Sequence, residues 1–191
     1  RKYSSIPISI DTYKASVAEK SINAGANMIN DVWGLKKNPN LAKISSIKNV
    51  PLVIMHNQIG TNYFDLFKDI ISDLQNSINT AIDHGVKQSN IIVDPGFGFG
   101  KLPSHNLEIL RNLKMLKSQL RYPMLIGTSR KSTIGKVLKK REPKDRIYGT
   151  AATVALAIAG GVDIVRVHDV EEMKMVSLMS DSIVRGWSDE E

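Results

Sequence analysis

Six short apolar runs, rich in β-branched residues, recur along the chain, and each ends in a polar or charged residue before a helical pattern begins. They are SIPISID (5–11), NMIND (27–31), PLVIMH (51–56), NIIVDP (90–95), PMLIGTSR (123–130) and DIVRVHD (163–169). Near-continuous Val/Ile/Leu runs suit strands covered on both faces, and their alternation with helices predicts a parallel sheet with right-handed crossovers.

Between the runs, apolar spacing predicts the helices. A first follows Asp11, with Val17, Ile22 and Ala24 inward and Gly25 as its stop, and a shorter one spans 40–47. The third carries Phe64, Phe67, Ile71, Leu74, Ile78 and Ile82 and ends at His84-Gly85; its aromatics read as core. The fourth opens at Pro103-Ser104, with Ser104 as a hydroxyl cap, and carries Leu107, Leu110, Leu113 and Leu116. Two helices are expected between Arg130 and Gly160: a short one after Lys131, and a small-residue one through Ala151, Ala155 and Ile158. The last runs over 169–186 with Met173, Val176 and Met179 inward.

In a closed βα barrel, function sits at the C-terminal edge of the strands. Asp11, Asn30, Asp31, His56, Asp94, Arg130, Lys131, Arg166 and His168 are therefore expected to face one cavity. A (β/α)8 barrel takes eight strands and typically ~250 residues, whereas six units fit in these 191. The count predicts a TIM barrel represented by strands three to eight, one domain over residues 1–191, with the remaining pair expected ahead of Arg1. An open, doubly wound sheet of six strands is the alternative.

At 42% hydrophobic and 24% charged residues, the composition is that of a globular domain with a large core. There is no cysteine, which excludes disulfides, thiolate metal sites and cysteine nucleophiles and agrees with an intracellular, cytoplasmic location. No apolar stretch is long enough for a bilayer span, and RKYSSIP lacks a signal-peptide core, so no membrane partner is expected. The net charge of +7 raises the question of nucleic acid, but the basic clusters are short and aromatics are only 6%, so no nucleic-acid partner is expected either. What survives is a positive field that attracts a small anionic substrate.

The strand ends carry the candidate chemistry. Asp11 in SIDT, Asn30-Asp31 and Asp94 place three carboxylates and an amide after apolar runs, a set that matches the donors and acceptors of a flat heterocycle. Singly, each is more ordinarily a helix cap. The run DPGFGFGK (94–101) is neither a P-loop nor a dinucleotide turn, and glycine-flanked Phe97 and Phe99 are free to lie over an aromatic ligand. GTSRKS (127–132) and RVHD (166–169) put Arg130, Lys131, Arg166 and His168 at the ends of the last two runs. Barrels often hold phosphate there, where a guanidinium fork, an imidazole and a helix N-terminus supply donors. His56 has no ligand-spaced partner and reads as a packed histidine, and zinc-hydrolase and nucleophile-elbow signatures are absent.

Taken in order, SIDT, IND, MHN, DPGFGFGK, GTSRKS and RVHD closely resemble the bacterial dihydropteroate synthases over essentially the whole chain. The resemblance implies a TIM-barrel transferase of folate biosynthesis, the target of sulfonamides. Such an enzyme condenses 6-hydroxymethyl-7,8-dihydropterin pyrophosphate with 4-aminobenzoate to give 7,8-dihydropteroate and pyrophosphate. By that resemblance Asp11, Asn30, Asp94 and Lys131 bind the pterin, with Met55, Val32 and Gly127 as slot walls. Arg166 and His168, with Asn30, anchor pyrophosphate, and Phe99, Lys131, Ser132 and Arg130 take the 4-aminobenzoate side. Lys131, Arg166 and His168 are the catalytic set. The resemblance further implies Mg2+, held by an Asn expected before Arg1, and a homodimer. Two other readings stand beside it: a methyltetrahydrofolate methyltransferase, which needs a pterin slot but no pyrophosphate anchors, and a noncatalytic barrel used for binding.

Overall fold

The computed structural model describes residues 5–188, and these form two compact units. The first comprises the chain up to Ile59 with Tyr63–Gly96, the second Gly60–Asn62 with the chain from Phe97 onward. Each of the six apolar runs contributes one strand.

In the first unit, β1 (Ser9–Asp11), β2 (Met28–Asp31), β3 (Leu52–Met55) and β4 (Ile91–Asp94) lie side by side in chain order. All are parallel, joined by α1 (Ala15–Asn23), α2 (Asn40–Lys48) and α3 (Leu66–Asp83). Every residue of β3 and β4 is buried, as the continuous apolar runs require of strands covered on both faces. The register sets Asp11 opposite Asn30 and Met55 opposite Asp94, so the polar run ends gather along one edge.

The helices fall where the spacing puts them, with some faces turned. In α1 the buried residue is Ala18, Ile22 is half-buried one turn on, and Val17 points outward. Asp65 caps α3, its carboxylate accepting from the amides of Phe67 and Lys68 at 3.2 Å each. That cap starts the helix after Phe64, which is fully exposed and not core. The buried stripe of α3 is Ile70, Leu74, Ser77, Ile78 and Ala81, leaving Ile82 at the surface.

In the second unit, β5 (Leu125–Ile126) and β6 (Ile164–Val165) pair in parallel. The expected fourth helix is two, α4 (Pro103–Arg111) and α5 (Leu113–Leu120), broken at Asn112. Ser104 is not the cap of α4. Pro103 occupies the first helical position, where its missing N–H costs nothing, and the Leu102 amide before it donates to His105 Nδ1 at 3.3 Å. After β5 come α6 (Ser132–Val137) and α7 (Ile147–Ala159), and α8 (Val170–Arg185) closes the unit. Met173 of α8 packs with Val154 and Ile158 of α7, and Val176 joins them. Met179, expected inward, is exposed: six residues beyond Met173 at ~100° each, it lies roughly 120° round the helix from Met173, to one side of the buried stripe through Met173 and Ser180.

Candidate functional site

In the first unit the strand ends divide by the alternation of side chains. The amide of Asn30 is buried and donates from Nδ2 to Asp11 Oδ1 at 2.8 Å. Its neighbour Asp31 points to the other face and is engaged by its own turn, Oδ1 accepting from the Trp33 amide at 2.9 Å and Oδ2 from the Leu35 amide at 2.6 Å. Burial pushes the Asp31 carboxyl above its ordinary range, and the two amides oppose that shift. Asp31 therefore shapes the loop after β2, where Gly34 and Leu35 take left-handed φ of 57° and 66°. Asp94 is buried at the end of β4, and its Oδ1 accepts from the Gly96 amide at 2.7 Å.

Beside these groups runs a network that the sequence does not reveal. The side-chain amide of Asn57 donates to the Val32 carbonyl at 2.9 Å, and Lys36 Nζ donates to the Asn57 carbonyl at 2.6 Å. The same ammonium pairs with Asp73 of α3 at 2.7 Å. Val32 and the residues following Met55 are thus tied together, while Met55 itself is buried. His56 is a packed histidine, as expected: buried, with its Nε2 3.9 Å from Asp73 and its ring 5.9 Å from that of Tyr63. Burial, Asp73 and Asp69 push the Tyr63 phenol upward, so it stays neutral.

In the second unit, Phe97 is fully buried, whereas Phe99 is half-buried. Glycines at 96, 98 and 100 all adopt positive φ, which makes the tight course of this loop possible. Lys131 lies against the loop: its Nζ donates to the Phe97 carbonyl and sits 4.6 Å from the centre of the Phe99 ring. Ser132 is exposed at the start of α6.

At the ends of β5 and β6, the backbone amide of Arg166 donates to the Ile126 carbonyl at 2.9 Å, carrying the pairing one residue past the strand. His168 Nδ1 lies 3.0 Å from Ser129 Oγ, and that same hydroxyl accepts from the His168 amide at 3.2 Å. Gly127, just past β5, lies against Arg166, where a Cβ would stand 3.7 Å from Arg166 Cβ, and the exposed Arg166 and His168 follow β6 two residues apart. Arg130 differs from its neighbours. Its guanidinium is gripped by Asp169, with Nε 3.1 Å from Oδ2 and Nη2 on Oδ1. This pairing raises the guanidinium and lowers the Asp169 carboxyl.

Sequence reasoning missed Asn106, Thr133, Ser129, Asn57 and Lys36. Only Asn106 carried a signal, a polar amide inside an apolar helical stripe where asparagine is a poor helix former. Among the described residues no three His, Cys, Asp or Glu side chains group as metal ligands.

Each unit is a parallel β/α scaffold: the first carries carboxylates and an amide along one strand edge, groups suited to a polar heterocycle, and the second carries cations and a histidine after its strands, groups suited to an anion. Residues 1–168 match the family described as pterin binding enzyme, and the chain belongs to that family. It is 52% identical over 181 residues to the dihydropteroate synthase of Clostridium beijerinckii and 48% identical over 179 residues to that of Bacillus subtilis. Each alignment takes in 94% of this chain, but only 66% and 62% of those proteins, so the chain spans less than two thirds of their length. It superposes on a crystal structure of dihydropteroate synthase from Clostridium difficile, determined in the presence of pteroic acid, with a TM-score of 0.93 at 52% identity. That superposition covers 96% of this chain and 70% of the other. The fold class is accordingly α/β, of the TIM-barrel type.

Proposed function

We propose that the chain carries dihydropteroate synthase chemistry. The amine of 4-aminobenzoate forms a C–N bond to the exocyclic methylene of 6-hydroxymethyl-7,8-dihydropterin pyrophosphate, the C–O bond to pyrophosphate breaks, and the amine proton passes to solvent. Pteroic acid, present with the similar Clostridium difficile enzyme, unites the pterin and 4-aminobenzoate halves that such a reaction joins. In this reading Asp11, Asn30 and Asp94 hold the pterin edge, Val32, Met55 and Gly127 wall its slot, and Lys131 contacts it. Phe99, Ser132 and Lys131 serve the 4-aminobenzoate side. Arg130, engaged by Asp169, helps hold the loop that carries Lys131.

The observation that carries the proposal is the grouping of Arg166 and His168, with Ser129 on the imidazole, at the ends of β5 and β6. A methyltetrahydrofolate methyltransferase has no pyrophosphate to hold and no need of it. Cationic donors stabilise the charge that grows on pyrophosphate as the C–O bond breaks, and the electron-rich pterin stabilises the developing carbocation, so no protein nucleophile is required. Among the described residues no three His, Cys, Asp or Glu side chains group as a site for Mg2+; an ion bound with the substrate would neutralise part of the charge on the leaving group, and no step assigned to these residues depends on it. A cytoplasmic homodimer completes the reading, supported by the apolar outer face of α8 with Met175, Leu178, Met179 and Ile183 exposed.

The protein incubated with magnesium, the pterin pyrophosphate and 4-aminobenzoate is expected to form dihydropteroate and release pyrophosphate in equal amounts. Binding of the pterin pyrophosphate without turnover would favour the noncatalytic reading, and binding of neither substrate would overturn both.

A further inference from the structure

The peptide unit joining Phe97 to Gly98 is held at both ends. Its carbonyl accepts from Lys131 Nζ, and its N–H donates to Asn106 Oδ1 at 2.8 Å. The other half of the Asn106 amide donates from Nδ2 to Thr133 Oγ1 at 2.9 Å. Thr133 lies in α6, two residues beyond Lys131, so the bonds form a closed ring: lysine, peptide, asparagine, threonine and back along the chain to the lysine. Asn106 and Thr133 are 2% and 1% exposed, which shields the bond between them from competing water and buries the acceptor end of the bond from Gly98. The order of donors fixes which way the asparagine amide faces, since only its oxygen can take the Gly98 N–H.

Glycine at 98 makes this peptide easy to turn over. Gly98 has φ of +84°, and without a Cβ it occupies either sign of φ at little cost. A flipped peptide would present N–H, not C=O, to the Lys131 ammonium. The residue cannot be stiffened by a side chain, because a Cβ at 98 would lie 2.8 Å from Lys131 Cδ. Orientation must come from outside the loop, and Asn106 supplies it.

We propose that Asn106 is a positioning residue: it locks the Phe97–Gly98 peptide so that its carbonyl holds the Lys131 ammonium beside the Phe99 ring. The catalytic consequence rests on the dihydropteroate synthase reading; the clamp itself does not. Asn106→Ala is expected to lower kcat/KM by ~10- to 100-fold, the scale of a misplaced catalytic group. Asn106→Asp keeps an acceptor for Gly98 and lets the Thr133 hydroxyl turn to donate, and should recover most of that loss. In a Lys131→Met background Asn106→Ala should add less than about twofold, whereas in an Arg166→Ala background its full effect should persist. Equal losses in both backgrounds would mark a general structural role and overturn the proposal. Amide hydrogen exchange gives a readout independent of turnover: Gly98 should be protected in the wild type and in Lys131→Met, and unprotected in Asn106→Ala. A protected Gly98 in Asn106→Ala also overturns the proposal. Absence of turnover in the wild type, with the exchange pattern as expected, would instead refute the activity and leave the clamp standing.

Discussion

Asp31 and Asn30 show how one register step separates a residue that shapes its own loop from one proposed to bind the pterin. Both are polar ends of the same run, and sequence alone treats them as a pair; the two-residue period of a strand turns one toward Asp11 and the other into the loop. Asp31→Asn replaces one of two accepting oxygens by a donor facing a backbone N–H. Bonds to charged acceptors contribute about 1.5–3 kcal/mol each, partly offset here by release of a buried charge, so a net loss of about 1–3 kcal/mol is expected in urea unfolding. The pH dependence has a definite sign. The folded carboxyl lies above its ordinary 3.8, so its contribution is complete below that value and declines as pH rises through the raised one. The wild type should therefore lead the variant by more at pH 4 than at neutrality, and a lead that grows with pH would show that burial is not the governing influence. Arg166 is the complementary case, an exposed cation whose assigned role is a ligand contact. Arg166→Ala should weaken pyrophosphate-bearing ligands by ~10- to 100-fold, one charge-assisted contact's worth, and leave a bare pterin nearly unchanged by calorimetry. Equal losses for both would remove it from the anion site. Arg166 stood out as a candidate in the sequence because a cation just past an apolar run is conspicuous, while the partners of Asn106 did not, being a backbone N–H and a hydroxyl 27 residues away.

At the scale of elements, strands were the more legible. In β3 and β4 the continuous apolar runs reflect burial on both faces, which leaves no phase to misjudge, whereas β1 and β6 hold no buried residue and were found by their β-branched runs alone. Helices have a phase, and it is set by tertiary partners that spacing does not name. The stripe on α8 follows Met173 and Ser180 because α7 covers that side, and Met179 falls outside it. The Asp65 cap likewise decides that Phe64 lies outside α3. Close approach of helices is equally silent in sequence. Gly149 of α7 meets α6 so closely that a Cβ there would collide with Ile134 Cγ2 and come within 2.9 Å of Leu138 Cδ1. Alanine is intrinsically better than glycine inside a helix by about 1 kcal/mol, but overpacking costs about 1–3 kcal/mol. Gly149→Ala should thus lower stability, opposite in sign to the propensity rule, with a loss of about 1 kcal/mol in denaturant unfolding. Truncating Ile134 to Ala should cost less in the Gly149→Ala background than in the wild type, because the new methyl fills part of the space. Additive losses would show that α6 and α7 do not touch there.

For the whole molecule, fold class was legible because alternation of buried runs and helices is a global pattern that no single misplaced helix face disturbs. Electrostatics is global too, and in the proposed reading it bears on how an anionic substrate arrives. With 26 Lys and Arg against 19 Asp and Glu, the chain carries a formal +7, and much of the excess is exposed, as at Lys139, Lys140, Arg141 and Lys144. Charges of this kind do little for stability singly, yet their summed field raises the encounter rate of an anion. The reach of that field is set by salt, about 30 Å at 0.01 M and about 8 Å at 0.15 M. If the anion is a pterin pyrophosphate, its kcat/KM should fall severalfold across that range of added KCl. A pterin lacking pyrophosphate should bind equally well at both. Replacing Lys139, Lys140 and Arg141 together by glutamine should flatten the salt dependence for the pyrophosphate substrate and leave the high-salt value unchanged, as expected of exposed charges that act only on the approach of an anion. A parallel decline for the bare pterin would mean that salt acts on the protein and not on the approach of an anion, and the positive charge would then have no part in substrate capture.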